Sequence, residues 1–262
     1  MAFSLKKFVK AYLRSGDVAF AREIAGAGKP GGLQSLQWKG LSFHYRPGSS
    51  DAFAAYECFL HGKRNAYFSR FLPARATVKS IVDIGANVGA SIVYWKSLYP
   101  EAVIHCFEPI PSNFEVLQRN CAGLRSVTPH NHALGDESGE ITFIHSPDAG
   151  NEGGWSVFQR GATGNEKKVS IPIFNSGARL AELGVKEIDI LKVDTEGAER
   201  MILRGLGAEL LSSTRYVCGE LHGERDFELL DWLEGSGFSI GMRKSPRSSL
   251  FNFEAVRTPQ GR

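Results

Sequence analysis

The stretch VDIGANVGAS, residues 82–91, ends a short apolar run with an acidic residue and two closely spaced glycines. Gly85 and Gly89 permit a tight turn that lets a ligand approach the backbone, and the helix predicted to follow points its N-terminus at that turn. The spacing, with Asn87 between the glycines, differs from the G-x-G-x-x-G dinucleotide fingerprint. Because Asp83 precedes the turn, a cationic ligand group suits this position better than a pyrophosphate. The stretch therefore predicts a strand–turn–helix unit that binds a small ligand.

Short apolar runs alternate with helical segments on both sides of this turn. Such alternation predicts a parallel sheet with right-handed crossovers. The last two runs lie too close together for an intervening helix, so we expect them to pair in an antiparallel manner. The sequence thus predicts an α/β, Rossmann-like fold around a seven-stranded, mostly parallel sheet with an antiparallel terminal hairpin. The predicted strands are residues 80–85, 102–109, 126–134, 188–194, 215–222, 238–242 and 249–256.

Composition narrows the class of protein. The 262 residues are 42% hydrophobic and 23% charged, as in an ordinary globular protein, which argues against a disordered or fibrous chain. No apolar run approaches the roughly 20 residues that span a bilayer, and the first residues lack the features of a signal peptide. The four cysteines are scattered without a C-x-x-C pair, which is typical of a reducing compartment. We therefore expect a cytoplasmic protein.

The charge is unevenly distributed along the chain. Residues 1–75 hold 12 lysines and arginines against 4 aspartates and glutamates, although the whole chain has a net charge of only +3. We therefore divide the chain into a basic N-terminal extension, 1–75, and a main domain, 76–262. The extension begins with a predicted amphipathic helix over residues 3–25, and strand-like and helix-like stretches follow it. This helix either docks on the protein body or contacts a membrane surface or an acceptor. The small net charge predicts no nucleic-acid partner, and the sequence does not indicate an oligomeric state.

Acidic side chains follow several predicted strands, at the edge where open α/β sheets bind ligands. Glu108 ends the second strand, where a carboxylate can accept ribose hydroxyls; the alternative is a helix cap or a surface charge. Asp194 ends the fourth strand and faces the cleft; the alternative is that it only caps the next helix. Glu220 and His222 reach the same rim from the next strand. A histidine there can act as a base, but it can equally be a polar residue with no chemical role.

Four motifs in this order resemble the FkbM family of S-adenosylmethionine-dependent methyltransferases. The resemblance covers about residues 46–222 and implies a class I methyltransferase fold with S-adenosylmethionine as the cofactor. The motifs are VDIGANVGAS, FEPIPSNFEVLQRN, HALGDESGEI and IDILKVDTEGAERMILRG.

The resemblance also implies which residues bind the cofactor. The glycine turn would hold the methionine portion, with Asp83 near its ammonium group and Asn87 ordering the loop. The end of the second strand would bind the ribose, and the end of the third strand would lie beside the adenine. The implied cofactor-binding residues are Asp83, Gly85, Asn87, Gly89, Glu108, Asn113, His132 and Ala133.

The family is mostly associated with O-methylation of sugars, polysaccharides and polyketides, so we expect a small-molecule or glycan acceptor. Since a hydroxyl needs a proton acceptor before it attacks, Asp194 is the predicted base, with Glu196 or His222 assisting. No metal is predicted because the sequence has no compact ligand motif, although a divalent ion between Asp194 and Glu220 is left open. Three alternatives also stay open: an N-methyltransferase of the same fold, an NAD-dependent oxidoreductase, and a non-catalytic adaptor that binds a glycan or partner protein.

Overall fold

The protein is described by a computed structural model that covers residues 3–62, 65–67, 69–145, 155–156, 167–221, 227–244 and 251–258. The N-terminal extension begins with two helices, α1 (Leu5–Ser15) and α2 (Val18–Ile24). The single helix predicted over residues 3–25 is therefore wrong. Gly16 takes a left-handed conformation with φ of 70° and ends α1, and the Asp17 side chain caps α2 by accepting a hydrogen bond from the Phe20 amide at 2.8 Å.

A hairpin and a helix that ends in a π-helical turn complete the extension. Strands β1 (Gln34–Trp38) and β2 (Leu41–Tyr45) pair in an antiparallel manner. Helix α3 (Asp51–Ala55) continues without interruption into a π-helical turn, Tyr56–Leu60, and a short 3-10 turn at Arg75–Thr77 leads into the central sheet. The extension therefore has regular structure that covers one side of the main domain.

The main domain alternates strands and helices along the chain. The first part comprises β3 (Ser80–Ile84), α4 (Ala90–Leu98), β4 (Val103–Phe107), α5 (Pro111–Cys121), β5 (Val127–His130), β6 (Ala133–Gly135), β7 (Gly139–His145), β8 (Trp155–Ser156) and β9 (Lys167–Asn175). The second part comprises α6 (Ser176–Glu182), β10 (Ile188–Val193), α7 (Glu199–Gly205), α8 (Gly207–Ser213), β11 (Thr214–Leu221), α9 (Glu228–Gly235), β12 (Phe238–Lys244) and β13 (Phe251–Arg257).

The central sheet has seven strands in the order β12-β13-β11-β10-β3-β4-β5. All of them run parallel except β13, which lies between β11 and β12 and is antiparallel to both. The predicted mostly parallel sheet with an antiparallel terminal hairpin is therefore confirmed. The strand order reverses between β3 and β10, and ligands bind at such a switch point in open α/β sheets.

The structure corrects two predicted elements of the main domain. The strand predicted over residues 126–134 is broken, because β5 ends at His130 and β6 leaves the central sheet to pair with β9 in a second sheet of order β6-β9-β7-β8. The Asn131 amide donates to the carbonyl oxygens of Glu108 and Pro109 at 2.9 and 3.0 Å and anchors this bend. The helical segment between the predicted strands 188–194 and 215–222 is also divided in two, and Gly207 at the break has a φ of 75°.

The two faces of the central sheet bury separate cores. One core packs α4 and α5 on the sheet and also takes in Phe20 and Phe43 of the extension, so it runs across the predicted boundary at residue 75. The other core packs α6 to α9 on the opposite face. The four cysteines are buried free thiols. None of the helices in the described ranges has the length and apolarity needed to cross a bilayer.

Candidate active site

A cavity of about 750 Å³ opens at the carboxyl ends of β3, β4, β10 and β11. Glu108 lies on one part of its wall, and Asp194 and Glu220 lie on another. The extension contributes to the rim through Lys7 and Phe53. The cavity therefore lies at the switch point of the sheet, where the sequence placed the site.

The glycine turn after β3 is shaped by the packing of the chain itself. Gly85 has a φ of 80°, and a Cβ at this position would collide with the carbonyl oxygen of Asp194. Gly89 has a φ of 88°, and a Cβ there would lie 2.8 Å from Leu117 Cδ1. The two glycines are needed because β10 and α5 approach the turn closely. The access to a ligand that the sequence suggested is an additional property of the same turn.

Asp83, which is predicted to lie beside the ammonium group of the cofactor, is placed beneath the glycine turn. Its side chain is fully buried and does not line the cavity. Asp83 Oδ2 accepts a hydrogen bond from Trp95 Nε1 at 3.1 Å, and Oδ1 lies 3.2 Å from Lys192 Nζ. The carboxylate is therefore engaged in an internal ion pair beneath the turn.

Lys192 connects this buried pair to the cavity. Its ammonium lies 3.9 Å from Asp194 Oδ2 and donates a hydrogen bond to the Gly85 carbonyl oxygen. Burial alone would lower the pKa of Lys192, but Asp83 and Asp194 outweigh burial and hold the pKa above its ordinary value. Lys192 is therefore a permanent cation. Lys192 was not predicted as a site residue, although the K-x-D spacing on a strand puts Lys192 and Asp194 on the same face.

Asp194 is held at the cavity wall by two groups that are distant in sequence. Its side chain is 28% exposed, and Oδ2 accepts a hydrogen bond from the Tyr67 hydroxyl at 3.1 Å. Burial, followed by the charge of Asp194, raises the pKa of Tyr67 well above its ordinary value, so the phenol stays a donor. Tyr67 belongs to the extension, and no local sequence pattern pointed to it.

Further carboxylates share this end of the cavity with Asp194: Glu57, Glu196 and Glu220. Burial raises the pKa of Glu220 to about 8, and Asp194, Glu57 and Glu196 add to the shift. Burial and Asp194 also raise the pKa of Glu57. This end of the cavity therefore holds a proton on Glu220 at neutral pH.

A short loop brings Glu196 to the cavity with an unusual backbone. Its φ of 58° lies in the left-handed region, which a residue with a side chain rarely adopts. Glu199, which is 2% exposed, stabilises the loop by accepting hydrogen bonds at Oε1 from the amides of Thr195 and Gly197 at 2.9 and 3.2 Å. The loop conformation thus depends on Glu199.

Glu108 is held by backbone amides at the opposite part of the cavity. Its two carboxylate oxygens accept hydrogen bonds from the amides of Asn87 and Ile110, each at 2.9 Å. Burial raises the pKa of Glu108 to about 7, and these two amides limit the shift. The Asn113 side chain also hydrogen-bonds this carboxylate. An ionised carboxylate has about four acceptor positions, so capacity remains for a ligand beyond these three contacts. Asn87 Oδ1 is buried at the cavity wall without a hydrogen-bond partner in the described part of the chain.

The remaining residues predicted around the cofactor also line the cavity. Asn113 is buried, and its Oδ1 accepts a hydrogen bond from Arg46 Nη2 at 2.9 Å. His132 Nε2 lies 3.3 Å from Arg179 Nε, and burial followed by Arg179 lowers the pKa of His132 to about 4, so the ring is neutral. Ala133 belongs to an apolar cluster of the second sheet. This part of the wall suits a flat aromatic base.

These residues fit S-adenosylmethionine. The Glu108 carboxylate at the cavity wall can accept from ribose hydroxyls, the unpaired Asn87 oxygen suits an ammonium donor, and the wall at Ala133 is apolar. His222, the predicted assisting residue, lies outside the described residues. Within the described ranges, the histidine, cysteine and carboxylate side chains form no cluster of three arranged to hold a metal ion.

Comparisons with known proteins agree with the four sequence motifs. A model of the methyltransferase FkbM domain matches residues 83–240, which confirms the predicted resemblance. The chain is 26% identical over 196 residues to the 31-O-demethyl-FK506 methyltransferase FkbM of Streptomyces tacrolimicus, covering 63% of this chain and 75% of that protein. It is 32% identical over 146 residues to the hexuronic acid methyltransferase AglP of Haloferax volcanii, covering 55% of this chain and 56% of that protein.

A solved structure supports the fold alone. The fibrillarin pre-rRNA processing protein of Methanococcus jannaschii superposes with a TM-score of 0.50 at 14% identity, covering 86% of this chain and 82% of that one.

Proposed function

The chain belongs to the FkbM family of S-adenosylmethionine-dependent methyltransferases, and we propose that it methylates a hydroxyl group of a sugar, a polysaccharide precursor or a related natural product. The observation that carries this proposal is Asp194, a carboxylate held at the cavity wall by Tyr67 and Lys192. A proton acceptor in this position is what a hydroxyl acceptor requires.

On the cofactor side, the chain supplies acceptors and an apolar wall. Glu108 would bind the ribose hydroxyls, Asn87 Oδ1 would accept from the ammonium group, and Ala133 would contact the adenine. When bound, S-adenosylmethionine supplies an electrophilic methyl group on a sulfonium. The protein therefore has only to align the acceptor and remove its proton.

On the acceptor side, we assign the proton to Asp194. The Tyr67 hydroxyl and the Lys192 ammonium both lie against Oδ2, which fixes the orientation of the carboxylate. Oδ1 would then take the proton of the acceptor hydroxyl, and the cofactor would supply the methyl group that replaces that proton. Glu196 and His222 remain predicted assisting residues.

The names of the relatives support the acceptor class. The relative from Streptomyces tacrolimicus is named as a 31-O-demethyl-FK506 methyltransferase, and the relative from Haloferax volcanii is named as a hexuronic acid methyltransferase. The carboxylates at this end of the cavity are good acceptors for the several hydroxyls of such a molecule. We place the reaction in the cytoplasm as part of the same proposal, because the four cysteines are free thiols.

N-methylation is the second candidate, and the acidic end of the cavity favours it. Glu57, Asp194 and Glu196 would attract a protonated amine. Matched pairs of acceptors that differ only by a hydroxyl or an amino group distinguish the two reactions.

The first test is calorimetric titration with S-adenosylmethionine, S-adenosylhomocysteine and NAD. We expect saturable binding of the first two, lost in Glu108→Ala, and no binding of NAD. Binding of NAD alone would overturn the proposal in favour of an oxidoreductase, and binding of none of the three would favour a non-catalytic adaptor. The second test measures transfer of a labelled methyl group to a panel of glycosides and polyhydroxylated natural products.

A further inference from the structure

Helix α1 carries an exposed apolar surface that the proposed reaction does not use. At about 100° per residue, positions four apart lie side by side on a helix. Leu5, Val9 and Leu13 form such a row, and their exposed fractions are 66%, 46% and 78%. Tyr12, at the edge of the row, is 43% exposed. We call these four residues the apolar row.

A basic row runs directly beside the apolar row. Lys6, Lys10 and Arg14 are also spaced four apart, one position after each residue of the apolar row. Lys6 and Lys10 are exposed, and Arg14 donates a hydrogen bond to the Tyr56 hydroxyl at 2.7 Å. Helix α1 contains no acidic residue.

The third side of the helix docks it on the protein. Ala11 is fully buried, and Phe8 packs on the core that the extension shares with the central sheet. The helix is therefore anchored along one side, where Arg14 also bonds Tyr56, and the apolar row with Lys6 and Lys10 faces outwards. This is the arrangement of a helix that lies in the plane of a membrane interface, with apolar side chains inserted and basic side chains at the headgroups.

We propose that α1 docks the protein on a lipid surface that carries anionic headgroups. Charge complementarity selects this occupant, because the extension has 12 basic residues against 4 acidic ones. A second copy of the chain is disfavoured, since a two-fold contact through this face would place the basic rows of the two copies close together, where their like charges repel. Hydrophobic residues alone would not distinguish these occupants, but the adjacent basic row does.

The docked orientation would place the cavity close to the lipid surface. Lys7, on the same helix, lines the cavity, and its ammonium lies 5.8 Å from the centroid of the Phe53 ring. A polar acceptor carried on a lipid would therefore reach the cavity from the membrane. This second step depends on the proposed function, whereas the docking itself does not.

The first test measures flotation of the full chain with vesicles. We expect binding to phosphatidylcholine vesicles that contain about 30% phosphatidylglycerol, weak binding to phosphatidylcholine alone, and a decrease as salt is added. No binding to the anionic vesicles, or equal binding to both compositions, would overturn the inference.

Substitutions in the apolar row test the inserted side chains. The double variant Leu5→Ser, Leu13→Ser should lower vesicle binding by roughly tenfold, because two exposed leucines no longer enter the interface. The matched control is Leu33→Ser, Phe71→Ser, whose side chains are 46% and 49% exposed elsewhere on the protein. Equal losses in the two variants would contradict the assignment to α1.

Substitutions in the basic row test the charge. The double variant Lys6→Gln, Lys10→Gln should weaken binding to anionic vesicles by roughly 30-fold. Lys79→Gln, Lys186→Gln removes the same charge from exposed positions elsewhere and should leave binding unchanged. An equal loss of vesicle binding in this control would show that binding depends only on the net charge of the protein, and it would overturn a specific role for α1.

Two further measurements separate the possible failures. Sedimentation velocity detects self-association, and a dimer that disappears in Leu5→Ser, Leu13→Ser would assign α1 to a second copy and overturn the membrane inference. Calorimetry on the same variants should give unchanged S-adenosylmethionine affinity. For the unsubstituted chain, cofactor binding without binding to anionic vesicles refutes the docking alone, whereas vesicle binding without cofactor binding refutes only the proposed function.

Discussion

The two parts of the cavity are held together in different ways. Around Glu108, the carboxylate is fixed by two backbone amides within 21 residues of it in sequence. Around Asp194, the partners are charged or phenolic side chains, and Tyr67 is 127 residues away. The cofactor side therefore depends on local backbone geometry, whereas the acceptor side depends on the assembled fold. Damage to the fold should consequently affect the acceptor side first.

The largest effect should come from Lys192→Met, which breaks the acceptor side at its buried cation. Asp83 would be left fully buried without its countercharge, and this should lower the free energy of unfolding by about 3–5 kcal/mol. Urea unfolding measures the loss. The double variant Asp83→Asn, Lys192→Met removes both charges and should be less destabilised than the single variant. A single variant as stable as the wild type would show that the ion pair contributes nothing to the fold.

Asp194→Asn tests the acceptor side without disturbing the core. Since Asp194 is partly exposed and its position would still be occupied by an amide, the fold should persist. We expect kcat to fall by roughly 10²- to 10⁴-fold, which is the usual contribution of a general base, with unchanged S-adenosylmethionine affinity. Steady-state kinetics and calorimetry measure the two quantities. Near wild-type turnover would exclude Asp194 as the base.

A pH titration tests the cofactor side. The pKa of Glu108 is about 7, so its carboxyl takes up a proton as the pH falls below that value and loses its full capacity to accept hydrogen bonds. The affinity for S-adenosylmethionine should therefore be roughly tenfold lower at pH 6 than at pH 8. The isosteric variant Glu108→Gln, which cannot titrate, should bind more weakly and without this difference. The same pH dependence in both proteins would assign it to another group.

Tyr67→Phe should give the smallest effect, because it removes one hydroxyl that orients Asp194. We expect kcat to fall roughly 3- to 10-fold, equivalent to one hydrogen bond, with little change in cofactor affinity. Tyr99→Phe is the matched control, since its hydroxyl donates to the Pro73 carbonyl oxygen at 3.0 Å and Tyr99 does not line the cavity. A loss of the same size in the control would show that the effect is structural.

The sequence predicted the features that leave a local pattern. The alternation of apolar runs and helices specified the sheet, and Glu108 and Asp194 were placed at the cavity because strand ends meet at one edge. Gly16 was overlooked because the apolar spacing of residues 3–25 continues across the break. The strand at 126–134 was predicted as one unit, since only Asn131 and His132 separate β5 from β6 in sequence although the two strands enter different sheets.

Two contacts of the site, the Asp83–Lys192 pair and Tyr67–Asp194, could not be predicted from the sequence for the same physical reason. Asp83 was predicted to face the cofactor because strand-end position alone does not tell which side of the sheet an isolated side chain enters. Its partner Lys192 lies on the neighbouring strand β10, more than 100 residues later, and so leaves no mark near Asp83. Tyr67 was missed for the same reason. Whether the predicted residues bind the cofactor and acceptor stays a prediction until the experiments above are made.

One ammonium group ties the two parts of the cavity together. Lys192 donates to the Gly85 carbonyl oxygen in the turn that would hold the cofactor, and it also lies beside Asp194. A displacement of that turn would therefore shift the Lys192 ammonium, which lies 3.9 Å from Asp194 Oδ2. The two parts of the cavity are therefore linked through a single charged side chain.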